Sequence, residues 1–305
     1  MTTFKSNGKL LITGEYVVLD GAKALALPTQ FGQELIVEKN NSDSLHWKSY
    51  DHKGVLWFED SFRVNSDDIK TASEQELTTA SRLIQILKSA QKLNPEFLKS
   101  AQGFTVTTHL DFDRHWGLGT SSTLINNISN WAKVDAYDLL AETFGGSGYD
   151  IACAKHDTPI TYQLSTSGKP IVETVNFTPE FQSQLYFVYL NQKQNSRDGI
   201  TAYKALAKVN ASIIDAINQI TEQMVACTSI SKFEELITSH EAIISELIQQ
   251  PTVKSKWFND YEGSIKSLGA WGGDFVLVTS ADDPSAYFRS KGFETIIPFN
   301  QMIRH

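Results

Sequence analysis

A glycine- and hydroxyl-rich stretch in the middle of the chain, Trp116 to Thr123, limits the possible folds more than any other feature. It follows an alternating apolar run from Phe104 to Phe112, which predicts a strand, and it precedes residues 124–132, whose apolar spacing predicts a helix. Glycines let the backbone approach a ligand closely, and the free N–H groups and dipole of a helix N-terminus favour negative charge. The stretch is therefore either an anion-binding turn or a tight turn with a Ser or Thr N-cap.

The pattern along the rest of the chain indicates an α+β protein. Residues 9–18 predict a strand that is interrupted at Gly14-Glu15 and resumes as a second extended piece over residues 16–19. Helical spacing covers residues 71–93, 135–143 and 201–249, and strands are expected at 160–164, 185–190, 275–278 and 293–299. A boundary between residues 155 and 159 gives two expected domains, residues 1–157 and 158–305.

Composition excludes several classes of partner. The formal net charge of −8 argues against a nucleic-acid-binding surface, so an anionic ligand would need a local positive site. No apolar run is long enough to span a membrane, and the N-terminus lacks the apolar core of a signal peptide. Cys153 and Cys227 have no metal-ligand spacing, and free thiols are expected. These features predict a cytoplasmic protein without membrane or nucleic-acid partners.

Three further segments carry residue types suited to phosphate chemistry, although each has a simpler interpretation. Lys9 stands at the start of an apolar strand, where it could merely mark the strand end. Asp150 follows a glycine turn, where it could be a helix N-cap. The run Gly269 to Gly273 could be an ordinary loop before a strand.

Taken in order, these segments resemble the motifs of the GHMP kinases, the family of galactokinase, homoserine kinase, mevalonate kinase and phosphomevalonate kinase. Gly8 to Val18 is similar to the first motif, and Gly117 to Ser122 is similar to the second. Ser147 to Asp150 resembles the segment with the catalytic aspartate, and Gly269 to Asp274 resembles the third motif. The resemblance implies an N-terminal α+β domain with the phosphate loop and a ferredoxin-like C-terminal domain.

The resemblance also implies roles for individual residues, with ATP and Mg²⁺ as cofactors. Asp150 would accept the acceptor's proton or orient an acceptor that is already ionised, and Lys9 would stabilise the transferred phosphoryl group. The metal ligands would be the hydroxyl of Ser121 or Thr120 together with Glu142, unless Glu142 is only a solvated helix residue. The ATP phosphates would bind to Gly117, Leu118, Gly119, Thr120, Ser121 and Ser122.

The acceptor is expected to contact residues from several segments. Lys193, Ser196 and Arg197 lie in a loop that would hold an anionic acceptor if it is not simply solvated, and Lys266 matches the same branch of the family. The other expected substrate-binding residues come from the motifs, namely Glu15, Tyr16, Ser147, Gly148, Gly269, Ala270, Gly272 and Gly273.

Three positions depart from the family pattern. Asn7 and Asp113 stand where proline is common, and Trp271 interrupts the glycines of the third motif. Trp271 would either narrow the acceptor pocket or pack over the loop.

The predicted function is an ATP-dependent kinase of an acidic isoprenoid precursor. Phosphomevalonate is favoured because Gly14-Glu15-Tyr16, Gly148 to Ala152 and Gly272-Gly273-Asp274 resemble the phosphomevalonate branch. Mevalonate or another metabolite of this family is the alternative acceptor, and a nucleotide-binding regulator without catalysis is the competing class. A monomer and a homodimer both remain open.

Overall fold

The computed structural model describes residues 1–64, 69–71, 78–99, 102–193, 196–205 and 209–304, and it omits the side chains of Ser196 and Arg197. The strands in this part of the chain are β1 Thr2–Leu11, β2 Ala24–Lys39, β3 Ser44–Tyr50, β4 Leu56–Val64, β5 Ile69–Thr71, β6 Phe104–Leu110, β7 Ile160–Leu164, β8 Pro170–Thr174, β9 Leu185–Tyr189, β10 Ile265–Ser267, β11 Phe275–Thr279 and β12 Ile296–Pro298. The helices are α1 Thr78–Leu93, α2 Thr120–Ala132, α3 Ala136–Thr143, α4 Tyr149–Lys155, α5 Ser196–Lys204, α6 Ala211–Val225, α7 Ile230–Ile248, α8 Val253–Trp257, α9 Ser285–Ser290 and α10 Phe299–Met302.

These elements group into two units. Unit 1 contains Met1–Gly8, Phe31–Arg114 and Gly119–Lys155, and unit 2 contains Lys9–Gln30, His115–Leu118 and His156–His305. The last break follows Lys155, near the boundary expected after residue 157, but two earlier segments of the expected first domain group with unit 2. The long strands β1 and β2 explain this division, because each of them contributes residues to both units.

Unit 1 is a sheet covered by helices. Its strands follow the order β5-β4-β3-β6-β2, where β2 contributes its second half, and only the β3–β6 pair among them is parallel. Helix α1 buries a stripe at three- and four-residue spacing, as the sequence pattern predicts. The members of this stripe are Ala80, Leu83, Ile86, Leu87 and Ala90. The helix was expected to begin at residue 71, but Thr71 is the last residue of β5, and residues 72–77 lie outside the described part.

Unit 2 contains a four-stranded antiparallel sheet in the order β10-β11-β9-β12. Along the chain its elements run strand, helices, strand, strand, helix, strand, which is the ferredoxin-like pattern expected for the C-terminal part. The first residues of β2 pair with β7, which in turn pairs with β8. Among the helices that the structure describes, none is both long enough and apolar enough to cross a bilayer.

Two local predictions were wrong. Residues 16–19, expected to be extended, turn instead into a 3-10 helix over Val17–Asp20. Tyr16 precedes this helix with φ 64°, and Gly21 ends it with φ 88°, so left-handed residues close the turn on both sides. The last strand, expected over residues 293–299, is shorter at both ends and covers Ile296–Pro298, where α10 follows directly.

Candidate functional site

Lys9 and the first glycine of the central loop lie together in unit 2. The ammonium group of Lys9 donates a hydrogen bond to the carbonyl oxygen of Gly117 at 2.8 Å. Its backbone N–H donates to the carbonyl oxygen of Leu118 at 3.0 Å, while the Leu118 side chain is buried. These hydrogen bonds join two segments that are more than a hundred residues apart in the sequence. They also place the positive charge of Lys9 at Gly117, near the start of the loop.

The loop continues into unit 1 as the first turn of α2. Gly119 is the N-cap with φ 94°, and as a glycine it makes no side-chain cap hydrogen bond. The hydroxyl of Ser122 is buried and donates to the carbonyl oxygen of Gly119 at 2.9 Å. Ser121 is exposed and Thr120 is half-buried. The side chains of Thr120 and Ser121 are therefore accessible to a ligand. The hydroxyl of Ser122 instead stabilises the turn through its hydrogen bond to Gly119.

Asp150 lies in the first turn of α4, also in unit 1. The segment before it turns through Gly148, which is buried and has φ 89°. The Asp150 carboxylate accepts a hydrogen bond from the backbone N–H of Ile151 at 3.0 Å, and its side chain is half-buried. Ser147 is half-buried, and a substrate contact from Ser147 or Gly148 stays a prediction.

A network of buried polar side chains fixes α2 within unit 1. The amide nitrogen of Asn126 donates to the hydroxyl of Ser6 at 2.9 Å and to the carbonyl oxygen of Ala154, near the end of α4, at 3.4 Å. Thr123 donates to the side chain of Gln33 at 2.8 Å. The helix that follows the loop is thereby tied to β1, to β2 and to the helix that carries Asp150.

The second glycine-rich segment, residues 269–273, leads to a residue that lies against Gly117 of the first segment within unit 2. Asp274, which follows it, has its carboxylate against Gly117: a Cβ atom built on Gly117 would lie 2.2 Å from the Asp274 Cγ. Gly117 has φ 69°, so both its backbone and its surroundings require glycine. The sequence patterns did not indicate that Asp274 meets the central loop. Substrate contacts from Gly269, Ala270, Gly272 and Gly273 stay predictions.

Replacing Gly117 with alanine is expected to weaken ATP binding by about ten- to a hundredfold, because a left-handed residue with a Cβ is strained by about 1–2 kcal/mol and the Cβ would displace Asp274. The measurement is a calorimetric titration with a non-hydrolysable ATP analogue. Gly168→Ala is the matched control, since Gly168 has φ 75° but open space around its Cβ position. Equal ATP affinity in both variants would contradict the prediction.

Trp271 packs into the interior of unit 2. Its side chain is 1 % exposed and belongs to an apolar cluster with Tyr16, Val17 and Tyr203. This burial argues against the alternative in which Trp271 narrows an acceptor pocket. Trp271 has φ 49°, which is unusual for a bulky residue and shows that the surrounding contacts determine its conformation.

Glu15 and Lys266 form a buried ion pair in unit 2, with 2.5 Å between the Glu15 Oε1 and the Lys266 Nζ. Both side chains are 0 % exposed. Lys266 also lies 3.2 Å from Glu241, which accepts hydrogen bonds from the backbone N–H and hydroxyl of Ser267. The assignment of Lys266 to an anionic acceptor is therefore corrected, because its charge is used inside the protein. A substrate contact from Glu15 would require it to leave this pair.

His240 completes this cluster. Its Nε2 accepts a hydrogen bond from the backbone N–H of Gly14 at 3.0 Å and lies 3.3 Å from the Glu15 carboxylate. Burial, together with the Lys266 charge, lowers the pKa of His240 well below 6.5, so the ring is neutral. Burial raises the pKa of Glu15 to about 7, although the charge of Lys266 opposes this shift. Burial likewise raises the pKa of Glu241.

His240 and Glu241 were not found from the sequence, although it contains a signal. They lie on the buried face of α7, in register with the buried apolar residues Phe233, Leu236, Ile237 and Ile244. Two ionisable side chains in an apolar stripe require partners, since burying an unpaired charge is costly. The pattern indicates that partners exist but cannot identify them.

The remaining predicted residues fall in different surroundings. Tyr16 stacks on Tyr203 of α5 at 5.3 Å and is buried, so its predicted substrate contact remains untested. Lys193 is exposed, and its neighbour Gln192 accepts a hydrogen bond from the backbone N–H of Asp274 at 2.6 Å. The side chains of Ser196 and Arg197 lie outside the described part.

Glu142, the second predicted metal ligand, pairs with Lys92 at 2.8 Å on the surface of unit 1. This ion pair favours the interpretation as a solvated helix residue. In the described part of the chain, no group of three or more His, Cys, Asp or Glu residues could hold a metal ion. A Mg²⁺ contact from the hydroxyl of Thr120 or Ser121 stays a prediction.

No protein-family model matches the sequence, and no curated protein matches it. Solved structures do match over nearly the whole chain. The mevalonate kinase of Methanococcus jannaschii has a TM-score of 0.70 at 13% identity and covers 97% of this chain and 96% of its own. Streptococcus pneumoniae phosphomevalonate kinase, in complex with phosphomevalonate and AMPPNP, has a TM-score of 0.68 at 16% identity and covers 95% of both chains. Lactococcus lactis galactokinase, complexed with galactose, has a TM-score of 0.64 at 12% identity and covers 99% of this chain and 92% of its own.

The expected fold is thereby confirmed. All three structures are GHMP-family kinases, and the match extends through both units of the present chain. At these identities the comparison establishes the fold and leaves the reaction to be argued from the residues. The chain has the α+β fold of the GHMP kinases.

Proposed function

We propose that the protein is an ATP-dependent small-molecule kinase that transfers the γ-phosphoryl group to an acidic acceptor. The observation that carries this proposal is the hydrogen bond from the Lys9 ammonium to Gly117, at the start of a loop that leads into a helix with a glycine N-cap. Cations and the backbone N–H groups of a helix N-terminus are both suited to binding phosphate. The fold, shared with a structure that holds AMPPNP and phosphomevalonate, supports the same proposal.

The proposed division of labour follows the chemistry of phosphoryl transfer, which depends mainly on positioning and on neutralising charge. The loop from Gly117 to Ser122 binds the ATP phosphates through its backbone. Lys9 stabilises the charge on the transferred group, and Asp150 accepts the proton of the acceptor or orients it. The hydroxyl of Ser121 or Thr120 would hold Mg²⁺, which would neutralise charge on the phosphates.

Phosphomevalonate is the proposed acceptor, and mevalonate is the alternative. The proposal depends on the resemblance of three segments, Gly14 to Tyr16, Gly148 to Ala152 and Gly272 to Asp274, to the phosphomevalonate branch. A phosphorylated acceptor also requires positive charge, for which Lys193 is exposed in the described part. The charge of Lys266 no longer supports this argument, because Glu15 and Glu241 neutralise it.

We expect ADP release to be fastest with phosphomevalonate when the purified protein is given ATP and Mg²⁺. The measurement is kcat/KM in a coupled ADP assay for phosphomevalonate, mevalonate and galactose. Preference for mevalonate or galactose would change the acceptor but keep the kinase. ATP binding without turnover on any acceptor would instead favour the nucleotide-binding regulator.

The charge of the acceptor is tested by Lys193→Met. If this lysine binds a phosphorylated acceptor, KM for phosphomevalonate rises whereas KM for ATP is unchanged. Lys169→Met is the matched control, since Lys169 is exposed in the turn between β7 and β8. If both replacements changed KM for phosphomevalonate equally, Lys193 would not belong to the acceptor site.

A further inference from the structure

Strand β8, Pro170–Thr174, is the least buried strand in the described part of the chain. It alone among the described strands contains no buried residue. It ends the strand order of its sheet, where it pairs with β7 on one side. The first three residues of the strand are nevertheless apolar, and Ile171 is 46 % exposed. An exposed edge strand with apolar side chains is a template for pairing with another strand.

The hydrogen bonds between β7 and β8 show which backbone groups remain at the edge. The N–H of Ser165 donates to the carbonyl oxygen of Lys169 at 2.8 Å, and the N–H of Val175 donates to that of Pro159 at 2.9 Å. Both bonds follow the antiparallel register of the two strands, in which hydrogen-bonded pairs alternate with non-hydrogen-bonded pairs. The odd-numbered residues of β8 therefore bond to β7, whereas Val172 and the other even-numbered residues direct their backbone groups outward.

These outward groups match those of a second copy of the same strand in the antiparallel direction. Around a two-fold axis at Val172, the N–H and carbonyl of this residue would bond to the carbonyl and N–H of Val172 in the other copy. The N–H of Thr174 would donate to the carbonyl oxygen of Pro170 in the other copy. Pro170 is one of the outward-directed residues, so its missing N–H removes no bond to β7.

The side chains are complementary in the same register. Lys169, directly before the strand, shares a face with Ile171 and Glu173, and all three are exposed. Pairing around Val172 places Lys169 diagonally across from Glu173 of the other copy, within reach of its long side chain. The two copies of Ile171 lie diagonal to each other, and the two copies of Val172 lie directly opposite on the other face. A parallel pairing would instead bring like charges together.

We propose that β8 is a dimerisation edge, where it pairs antiparallel with β8 of a second copy of this chain around Val172. The two-fold axis makes each contact occur twice, and it joins two sheets into one. A single pair of short strands is a small interface, so we expect a weak, concentration-dependent dimer. This inference is independent of the proposed kinase activity.

The test is the dissociation constant of the dimer, measured by sedimentation velocity between about 1 μM and 1 mM protein. Lys169→Glu and Glu173→Lys each replace attraction with repulsion and should raise this constant by about tenfold. The double variant Lys169→Glu, Glu173→Lys again has opposite charges across the axis, so its constant should return to within about threefold of the parent value. Glu180→Lys is the matched control, because it makes the same charge change at another exposed position of unit 2.

Val172→Pro tests the backbone contacts. It removes an outward N–H, which costs two bonds between the copies and none to β7, and it should raise the dissociation constant by about tenfold or more. Thermal unfolding verifies that each variant is folded. A parent protein that stays monomeric over the whole concentration range would overturn the inference, and so would a dimer that neither Val172→Pro nor the single charge reversals weaken. Single reversals that weaken the dimer without recovery in the double variant would overturn the pairing around Val172.

Discussion

Asp150→Asn is expected to lower kcat by about 10²–10⁴-fold, the usual contribution of a general base, while the protein stays folded. Asparagine has the same shape but cannot accept the proton of the acceptor or hold a negative charge beside it. Its side-chain oxygen can still accept the hydrogen bond from the N–H of Ile151, so the start of α4 is preserved. Affinity for ATP should change little, because the proposed role concerns the acceptor.

The matched control is Asp138→Asn. Asp138 is also an acidic residue in the first turn of a unit 1 helix, but it is exposed on α3 and has no proposed role. Steady-state kinetics of both variants, with ATP affinity measured separately, test the assignment. If Asp150→Asn turned over within a few-fold of the parent protein, Asp150 would not be the base.

Lys266→Met is expected to lower the free energy of unfolding by about 3–5 kcal/mol, the usual cost of removing one partner from a buried ion pair. The replacement leaves Glu15 and Glu241 buried without their shared counter-ion. Equilibrium unfolding in urea measures the loss. Lys232→Met removes an exposed partner of Glu235 and should cost at most about 1 kcal/mol. Equal losses in the two variants would show that the buried pair contributes no more than a surface pair.

The loss caused by Lys266→Met should grow with pH. The raised pKa of Glu15, about 7 against an ordinary value of 4.5, means that the folded protein keeps a proton that the unfolded chain has released. The contribution of this group to stability is therefore complete below pH 4.5 and is lost as pH rises through about 7. Without the Lys266 charge, which lowers this pKa, ionising Glu15 becomes still more costly. A loss that is independent of pH between 5 and 8 would contradict this account.

A second replacement separates charge from packing. The double variant Lys266→Met, Glu15→Gln removes one of the two uncompensated carboxylates, and it should recover part of the stability lost in Lys266→Met. The contribution of His240 to stability has the opposite pH dependence to that of Glu15. Because the pKa of His240 is lowered in the folded state, the protein loses stability as pH falls below 6.5. Comparing the double variant with each single variant at one fixed pH above 6.5, where His240 is mainly neutral in both the folded and the unfolded state, keeps this contribution of His240 small.

The sequence alone predicted the elements and the residues that depend on local chemistry. Helical periodicity located α1, α3 and α7, and β-branched and apolar runs located β7, β9 and β11. The glycines of the central loop predicted a tight turn into a helix, and Gly117 and Gly119 lie in that turn with φ 69° and 94°. These features follow from backbone sterics and from the spacing of buried side chains, which differs between a strand and a helix. Both can be recognised in the sequence of a single segment.

Contacts between distant segments were decided only by the tertiary structure. The sequence could suggest Lys9 and Gly117 separately, but the hydrogen bond between them depends on how β1 and the loop pack. Lys266 looked like a lysine for an anionic acceptor, yet the fold buries it against Glu15 and Glu241. The reason is physical: the cost of burying a charge depends on which partners the fold brings to it, and no local pattern contains that information.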